Sequence, residues 1–178
     1  RSLRRALGDW PEGPPKRRQT LPSVALRTSE IVARERHLRR AHVILGFPAP
    51  AADEPDYYAV QVIDSILSGG TTARLPLKLR DELGLVYTVS SFYPTLAYDS
   101  HLGIYAVTEP HHLGTIKSAI IEVLDDLVRH PLSEEELSRA KVYLLGSYAL
   151  SHQRMKENAY SLAWYEVLGL GVDFEDRY

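Results

Sequence analysis

The residues of this chain with the clearest chemical potential are an arginine and a tyrosine, Arg80 and Tyr87, seven positions apart with Gly84 between them. A guanidinium presents several donors in a fixed plane, and a phenol hydroxyl both donates and accepts hydrogen bonds. From the residues alone, the simplest interpretation is structural. Arg80 would be a solvated residue near the end of a short helix over residues 73–82, paired with a nearby carboxylate. Tyr87 would be a half-buried strand residue whose hydroxyl reaches the rim.

Histidine occurs seven times, but without the spacing that a zinc peptidase needs. Such an enzyme places two imidazoles on one helix face beside a carboxylate, as in HExxH or HxxEH, and neither motif occurs. His37 and His42 are expected on a hairpin, pointing in unrelated directions. His111 and His112 are expected at a helix start, with side chains about 100° apart. We therefore expect surface histidines, no metal site and no catalytic residue in this chain.

Other chemistries have little support. The chain has no cysteine, which removes thiolate zinc sites and Cys nucleophiles. Residue counts leave room for a Ser-His-Asp triad, but no GxSxG elbow, P-loop or GxGxxG is present. A basic cluster is interrupted by Glu35 and contains no aromatic residue, so we interpret it as a solvated hairpin turn that blunts sheet-edge association. The cluster comprises Arg34, Arg36, His37, Arg39 and Arg40.

Length and composition indicate one globular domain. The chain has 178 residues, of which 44% are hydrophobic, enough for one core but not comfortably for two. A net charge of -2 argues against nucleic acid as a partner, and no apolar run is long enough to span a membrane. Residues 1–24 are rich in proline and basic residues and are interpreted as a linker before a domain over residues 25–178. We expect further chain on both sides, in a soluble protein of either cytoplasm or periplasm.

Apolar periodicity predicts an α+β fold in which helices cover one side of an antiparallel sheet. Ser133 followed by Glu136 is a capping box that should open a helix. The predicted elements are strands Ser29–Arg36 and Arg40–Phe47, a helix from Asp53 with Pro55 in its first turn and a stop at Gly69-Gly70, strands Val86–Tyr93 and His101–Val107, and helices over 113–127, from Ser133, and over 157–168.

Four short motifs give the chain a family resemblance. In order, they are Gly69-Gly70, Ala73-Arg74-Leu75, Leu79-Arg80-Asp81-Glu82 and Gly84-Leu85-Val86-Tyr87. This series resembles the non-catalytic, C-terminal-type domain of the pitrilysin/insulinase family of zinc peptidases, the inverted zincins, over nearly all of residues 25–170. The chain departs from that pattern at Thr71-Thr72, Ala73 and Pro76, which could tilt the short helix and move Arg80.

The resemblance implies a pitrilysin/LuxS-like metallohydrolase fold and a substrate-binding role for Arg80 and Tyr87 inside a closed chamber. Zinc and the general base would come from a partner domain or subunit carrying HxxEH, and the substrate would be a peptide. This chain alone would then hold no zinc and cleave nothing. The main alternative is a structural homologue without peptidase activity, like the processing-peptidase relatives of respiratory complexes. A third interpretation is an unrelated α+β binding module.

Overall fold

The computed structural model describes residues 39–177 without interruption, together with residues 29–34 and the isolated positions 5, 8, 9 and 13. Apart from positions 5, 8, 9 and 13, the predicted linker over residues 1–24 lies outside the described part of the chain. The architecture is α+β, as predicted. In chain order the elements are strand β1 (Ala41–Ala49), helix α1 (Tyr57–Ser68), a π-helix (Pro76–Glu82), strands β2 (Val86–Phe92) and β3 (Ser100–Thr108), a 3₁₀ turn (Pro110–His112), helices α2 (Leu113–Arg129), α3 (Glu134–Ser151) and α4 (Met155–Leu168), and a 3₁₀ helix (Val172–Arg177).

The three strands form one antiparallel sheet in the order β1-β3-β2. The predicted strand Ser29–Arg36, and with it the hairpin, is wrong for residues 29–34, which adopt no regular structure; residues 35 and 36 lie outside the described part. Ile31 and Val32 are 78% and 73% exposed. A strand is specified when one of its faces is buried against a core. Because Ile31 and Val32 are exposed, burial does not stabilise a strand in this segment.

Helices cover one face of the sheet, and no element of the described residues covers the other, which is called the open face below. Along β1, partly buried and exposed residues alternate, and Ile44 on the open face is 67% exposed. The covered face of β3 presents Leu102, Ile104 and Ala106 to the core. Helices α1 and α2 supply the apposed side chains, among them Leu67, Ile116 and Ile120. The one-sided covering predicted from the sequence is therefore present.

Two proline positions differ from the prediction. The strand β1 continues through Pro48 to Ala49, although the predicted strand Arg40–Phe47 ends just before this proline. A proline is tolerated here because β1 is an edge strand, where a missing N–H need not break a ladder on both sides. Pro55 lies before α1 and not in its first turn. The predicted stop is confirmed, since Gly70 adopts a φ of 103°, which favours glycine.

An ion-pair clamp fixes the segment that leads into the π-helix. The Ser133 hydroxyl accepts the Glu136 N–H at 3.1 Å, which is half of the predicted capping box. The Glu136 carboxylate instead accepts two bonds from Arg74, with Nε–Oε1 at 2.6 Å and Nη2–Oε2 at 2.9 Å. Arg74 also donates to Asp126 of α2 at 2.9 Å. One arginine thus ties this segment to both α2 and α3.

Candidate functional site

All three strands contribute a polar or aromatic residue to the same end of the sheet. Arg40 immediately precedes β1, Tyr87 is the second residue of β2, and Glu109 immediately follows β3. The register brings these ends together, because Thr108 of β3 lies opposite Ala41 on one side and opposite Val86 on the other.

Tyr87 occupies a β-bulge. Val86 pairs with Thr108 and Thr88 pairs with the next residue, Val107, so that Tyr87 has no partner on β3. A bulge of this kind re-aims the side chain of the extra residue and increases the local twist. Tyr87 is accordingly 55% exposed, more than the half-buried strand residue of the simplest sequence interpretation. Its ring and hydroxyl are both accessible from solvent.

Two charged residues contact Tyr87. The Arg40 guanidinium carbon lies 4.3 Å from the centroid of the ring, which is a cation–π contact. The Tyr87 hydroxyl donates to Glu109 Oε1 over 3.4 Å, at the long end of the hydrogen-bond range. The ring is therefore supported from one side, while the hydroxyl is only weakly engaged and can exchange Glu109 for another acceptor.

Arg80 lies in the π-helix and points its guanidinium at its neighbour. Its Nε donates to Asp81 Oδ1 at 2.8 Å, and 42% of its side chain is exposed. This hydrogen bond raises the pKa of the Arg80 guanidinium and lowers the pKa of the Asp81 carboxyl. Arg80 bonds Asp81, and Tyr87 has its contacts with Arg40 and Glu109. Among the described residues, no hydrogen bond or cation–π contact joins the two predicted site residues.

The turn between these two residues is held at several points. Gly84 adopts a φ of 62°, a conformation that costs other residues energy. The Leu85 N–H donates to Leu79 O at 2.9 Å, and the buried Thr108 hydroxyl donates to Leu85 O at 2.7 Å. These bonds fix the entry into β2, and hence the position of Tyr87, relative to the π-helix and β3.

The 3₁₀ turn after β3 overturns one prediction about the histidines. The rings of His111 and His112 do not diverge, because their centroids are 3.9 Å apart. A 3₁₀ turn separates successive residues by about 120°, so backbone geometry alone would also point the two side chains apart, and their closeness comes from the side-chain rotamers. With Glu109, the two histidines form a group of three possible metal ligands within the described part of the chain. The group lacks the HxxEH spacing of a zinc peptidase.

Sequence reasoning missed Arg40 and Glu109 as neighbours of Tyr87. Arg40 was assigned to a solvated turn, and no spacing rule connects it to a tyrosine 47 positions later. Glu109 carries a weak signal, since it lies two residues after the end of the predicted strand His101–Val107. Only the strand order, with β3 between β1 and β2, makes the three residues neighbours.

The sequence of this chain is similar to a known protein family and to several zinc-protease-like proteins. A family profile described as "Peptidase M16 inactive domain" matches residues 2–144. An uncharacterized zinc protease of Streptomyces coelicolor is 33% identical over 115 residues, which are 65% of this chain and 25% of that protein. A non-peptidase homolog of Helicobacter pylori is 27% identical over 140 residues, which are 76% of this chain and 32% of that protein. The chain thus spans between a quarter and a third of the length of these relatives.

Two solved structures share the fold. The peptidase M16 inactive domain of Pseudomonas fluorescens matches with a TM-score of 0.68 at 23% identity, covering 78% of this chain and 33% of that one. A protease from Helicobacter pylori matches with a TM-score of 0.69 at 22% identity, covering 78% of this chain and 35% of that one. Among the described helices, none combines the length and the apolar character needed to cross a bilayer.

Proposed function

The chain belongs to the peptidase M16 inactive-domain family, which confirms the resemblance drawn from its motifs, and we propose that it is the substrate-binding domain of a zinc metalloendopeptidase, without the catalytic HxxEH zinc centre. The complete enzyme would hydrolyse peptides in a closed chamber. The observation that carries the proposal is the exposed Tyr87 at the bulge of β2, where its hydroxyl has only a long bond to Glu109.

In this proposal Tyr87 stabilises charge that develops on the substrate. A zinc ion held by an HxxEH-bearing domain, on the same polypeptide or on a partner subunit, would supply the activated water. The Tyr87 hydroxyl would leave Glu109 and donate to the oxygen of the peptide carbonyl as it becomes an oxyanion. The Arg40 guanidinium, over the ring, would hold the phenol in place and add positive charge nearby.

Arg80 would bind the peptide before and during the reaction. Its guanidinium has five donor hydrogens, and Asp81 engages only Nε and Nη2. The remaining donors can bond backbone carbonyls of an extended peptide. Because such bonds are made equally in the ground state and the transition state, Arg80 should contribute mainly to substrate affinity.

A second candidate function is a structural domain without a role in proteolysis. It is favoured by the Helicobacter pylori relative, whose name denotes a non-peptidase homolog. In that case Tyr87 and Arg80 would be surface residues, and their substitution would leave any activity of an associated zinc domain unchanged.

The test is steady-state peptide hydrolysis by the complete protein, with its zinc-bearing domain or subunit present. Tyr87→Phe keeps the ring over Arg40 and removes only the hydroxyl, so kcat should fall by roughly 10²–10³, as for other oxyanion donors. Arg80→Ala should raise KM and change kcat less. The 178-residue chain alone should cleave no peptide.

Matched variants separate these effects from general damage. Tyr105→Phe removes a hydroxyl from the same open face of the sheet, where it bonds His42. Arg129→Ala removes an exposed arginine that pairs with a neighbouring aspartate, Asp125. Both should retain normal kinetics. If Tyr87→Phe is as active as Tyr105→Phe in an otherwise competent assembly, the proposed function is wrong and the structural alternative stands.

A further inference from the structure

Three metal-ligating side chains come together just beyond β3. The Nδ1 atom of His111 lies 3.5 Å from Oε2 of Glu109, and the ring centroids of His111 and His112 are 3.9 Å apart. One ligand atom from each residue lies within 4.8 Å of those of the other two. We propose that Glu109, His111 and His112 form a binding site for one divalent transition-metal ion.

The local backbone explains why residues so close in sequence converge. Pro110 opens the 3₁₀ turn, and the His112 N–H donates to Glu109 O at 3.0 Å, which places these two residues one turn apart. In a tetrahedral zinc site with bonds of about 2.0–2.1 Å, ligand atoms are about 3.4 Å apart. Glu109 and His111 already have nearly this separation. Closing the remaining distances would require only side-chain movement within 4.8 Å, at residues that are exposed or partly exposed.

The donor set selects the class of ion. Two imidazoles and one carboxylate suit zinc, copper, nickel or cobalt, whereas calcium and magnesium prefer oxygen ligands alone. Three protein ligands also leave a coordination position for water or for a group from another molecule. The site differs from an HxxEH centre in the elements that carry its ligands. An HxxEH motif places two histidines on one helix face, whereas Glu109 follows a strand and His111 and His112 lie in a 3₁₀ turn.

Carboxylates that bind a metal usually also accept a hydrogen bond from a residue outside the ligand set. At Glu109 the donor is the Tyr87 hydroxyl, over a long distance of 3.4 Å. Glu109 Oε2 faces His111, while the other oxygen, Oε1, accepts the Tyr87 hydroxyl. Hydrogen bonds from outside the ligand shell orient metal ligands and raise affinity. A metal bound through Oε2 would therefore leave the Tyr87 contact in place. The inference does not depend on the proposed substrate role of Tyr87, since metal binding is measured without substrate.

The experiment is a zinc titration of the purified, tag-free chain against a competing chromophoric chelator. We expect one saturable site that His111→Ala and His112→Ala each weaken by at least about tenfold. Cobalt provides a second readout, because the intensity of its visible d–d absorption reports the coordination geometry of the bound ion and rises when hydrated Co²⁺ enters a four-coordinate site. The parent chain should develop this absorption, and the double variant with both histidines replaced should not.

The control variant is His130→Ala. His130 Nδ1 lies 2.7 Å from Asp126 Oδ1, so it is an exposed imidazole–carboxylate pair that belongs to no group of three possible ligands among the described residues. Its replacement should leave zinc affinity unchanged. The inference is overturned if the parent chain shows no saturable zinc binding, or if His130→Ala weakens binding as much as His111→Ala. Thermal unfolding without metal verifies that the variants are folded, as expected for side chains on the surface.

Discussion

The guanidinium of Arg40 lies 4.3 Å from the centroid of the Tyr87 ring, and so joins the two outer strands of the sheet across the end of β3. Arg40 precedes one edge strand and Tyr87 belongs to the other. An exposed aromatic side chain without such support would sample several rotamers. The contact therefore restricts the orientation of Tyr87, the residue that we propose donates a hydrogen bond to the oxyanion.

The Arg40–Tyr87 contact should be measurable as a coupling energy. Cation–π contacts at exposed sites contribute about 0.5–1 kcal/mol. We expect that value from a double-mutant cycle of Arg40→Met, Tyr87→Leu and the double variant, measured by urea unfolding. Arg39→Met is the control, because within the described part of the chain the cation–π contact with Tyr87 is made by the neighbouring Arg40 and not by Arg39. A coupling energy near zero, or equal coupling for Arg39, would contradict the assignment.

The Arg74 clamp should matter more than an ordinary surface ion pair. Arg74 binds Glu136 through two bonds, and both side chains are mostly buried, at 19% and 21% exposure. Glu136→Gln should destabilise the fold by roughly 1 kcal/mol, as expected for a partly screened charge-assisted pair. Glu135→Gln is the matched control, since Glu135 makes an exposed pair with Arg139 and should change stability by no more than about 0.5 kcal/mol.

The same clamp predicts a dependence of stability on pH. The hydrogen bonds from Arg74 lower the pKa of Glu136 below its ordinary value. The charged carboxylate is therefore favoured in the folded state. Its contribution to stability is present above the pKa of the unfolded chain and is lost as pH falls through the lowered pKa of the folded state. Urea unfolding across the acid range should show a shallower decline for Glu136→Gln than for the parent chain.

Much of the fold was accessible from sequence because its signals are local. The stop of α1 at Gly69-Gly70 and the start of α3 at Ser133 follow from backbone conformation and capping. The second half of the capping box was missed for a nonlocal reason. Glu136 has a stronger partner in Arg74, 62 positions earlier in the chain.

The candidate site was less accessible, because its geometry depends on features without a sequence signature. The bulge at Tyr87 appears only in the register against Val107 and Thr108. The π-helix is a similar case, since the bond from Leu83 N to Lys78 O spans five residues where an α-helix spans four. Both features change where a side chain points while leaving the pattern of apolar residues intact.

Tyr93 should contribute a loss of stability at alkaline pH. Its hydroxyl donates to Pro50 O, and burial raises its pKa to about 12, against about 10 for an unfolded tyrosine. The neutral phenol is favoured in the fold, so its contribution is fully present below about pH 10 and is lost as pH rises toward about 12. Burial also raises the pKa of Tyr57, which acts in the same direction.

The measurement is the free energy of unfolding at neutral pH and from about pH 9 to about pH 11.5, a range that spans the rise from the unfolded pKa toward the folded pKa. Tyr93→Phe should lower stability at neutral pH by about 1 kcal/mol, through loss of the hydrogen bond, and should reduce the alkaline slope without abolishing it. Tyr98→Phe, at a loop tyrosine, should leave the slope as in the parent. An unchanged slope in Tyr93→Phe would show that the phenol ionises without opposing the fold.

Two glycines that face each other on the open side of the sheet should respond oppositely to the same substitution. Gly46 of β1 lies opposite Gly103 of β3. A Cβ atom at Gly46 would meet nothing within 4 Å, whereas one at Gly103 would overlap the ring of Phe92. Neither glycine has a positive φ, so backbone strain does not distinguish them. Any difference between the two alanine variants therefore reports on the space that Phe92 occupies.

Gly46→Ala should be neutral or stabilise the fold by up to about 1 kcal/mol, because alanine loses less conformational freedom on folding. Gly103→Ala should destabilise it by about 1–3 kcal/mol, since the Phe92 ring must move out of its present position. Phe92→Ala removes the obstacle, so Gly103→Ala should cost much less in that background. Equal effects at Gly46 and Gly103, measured by urea unfolding, would mean that the ring moves aside freely and that this part of the open face is not packed in solution.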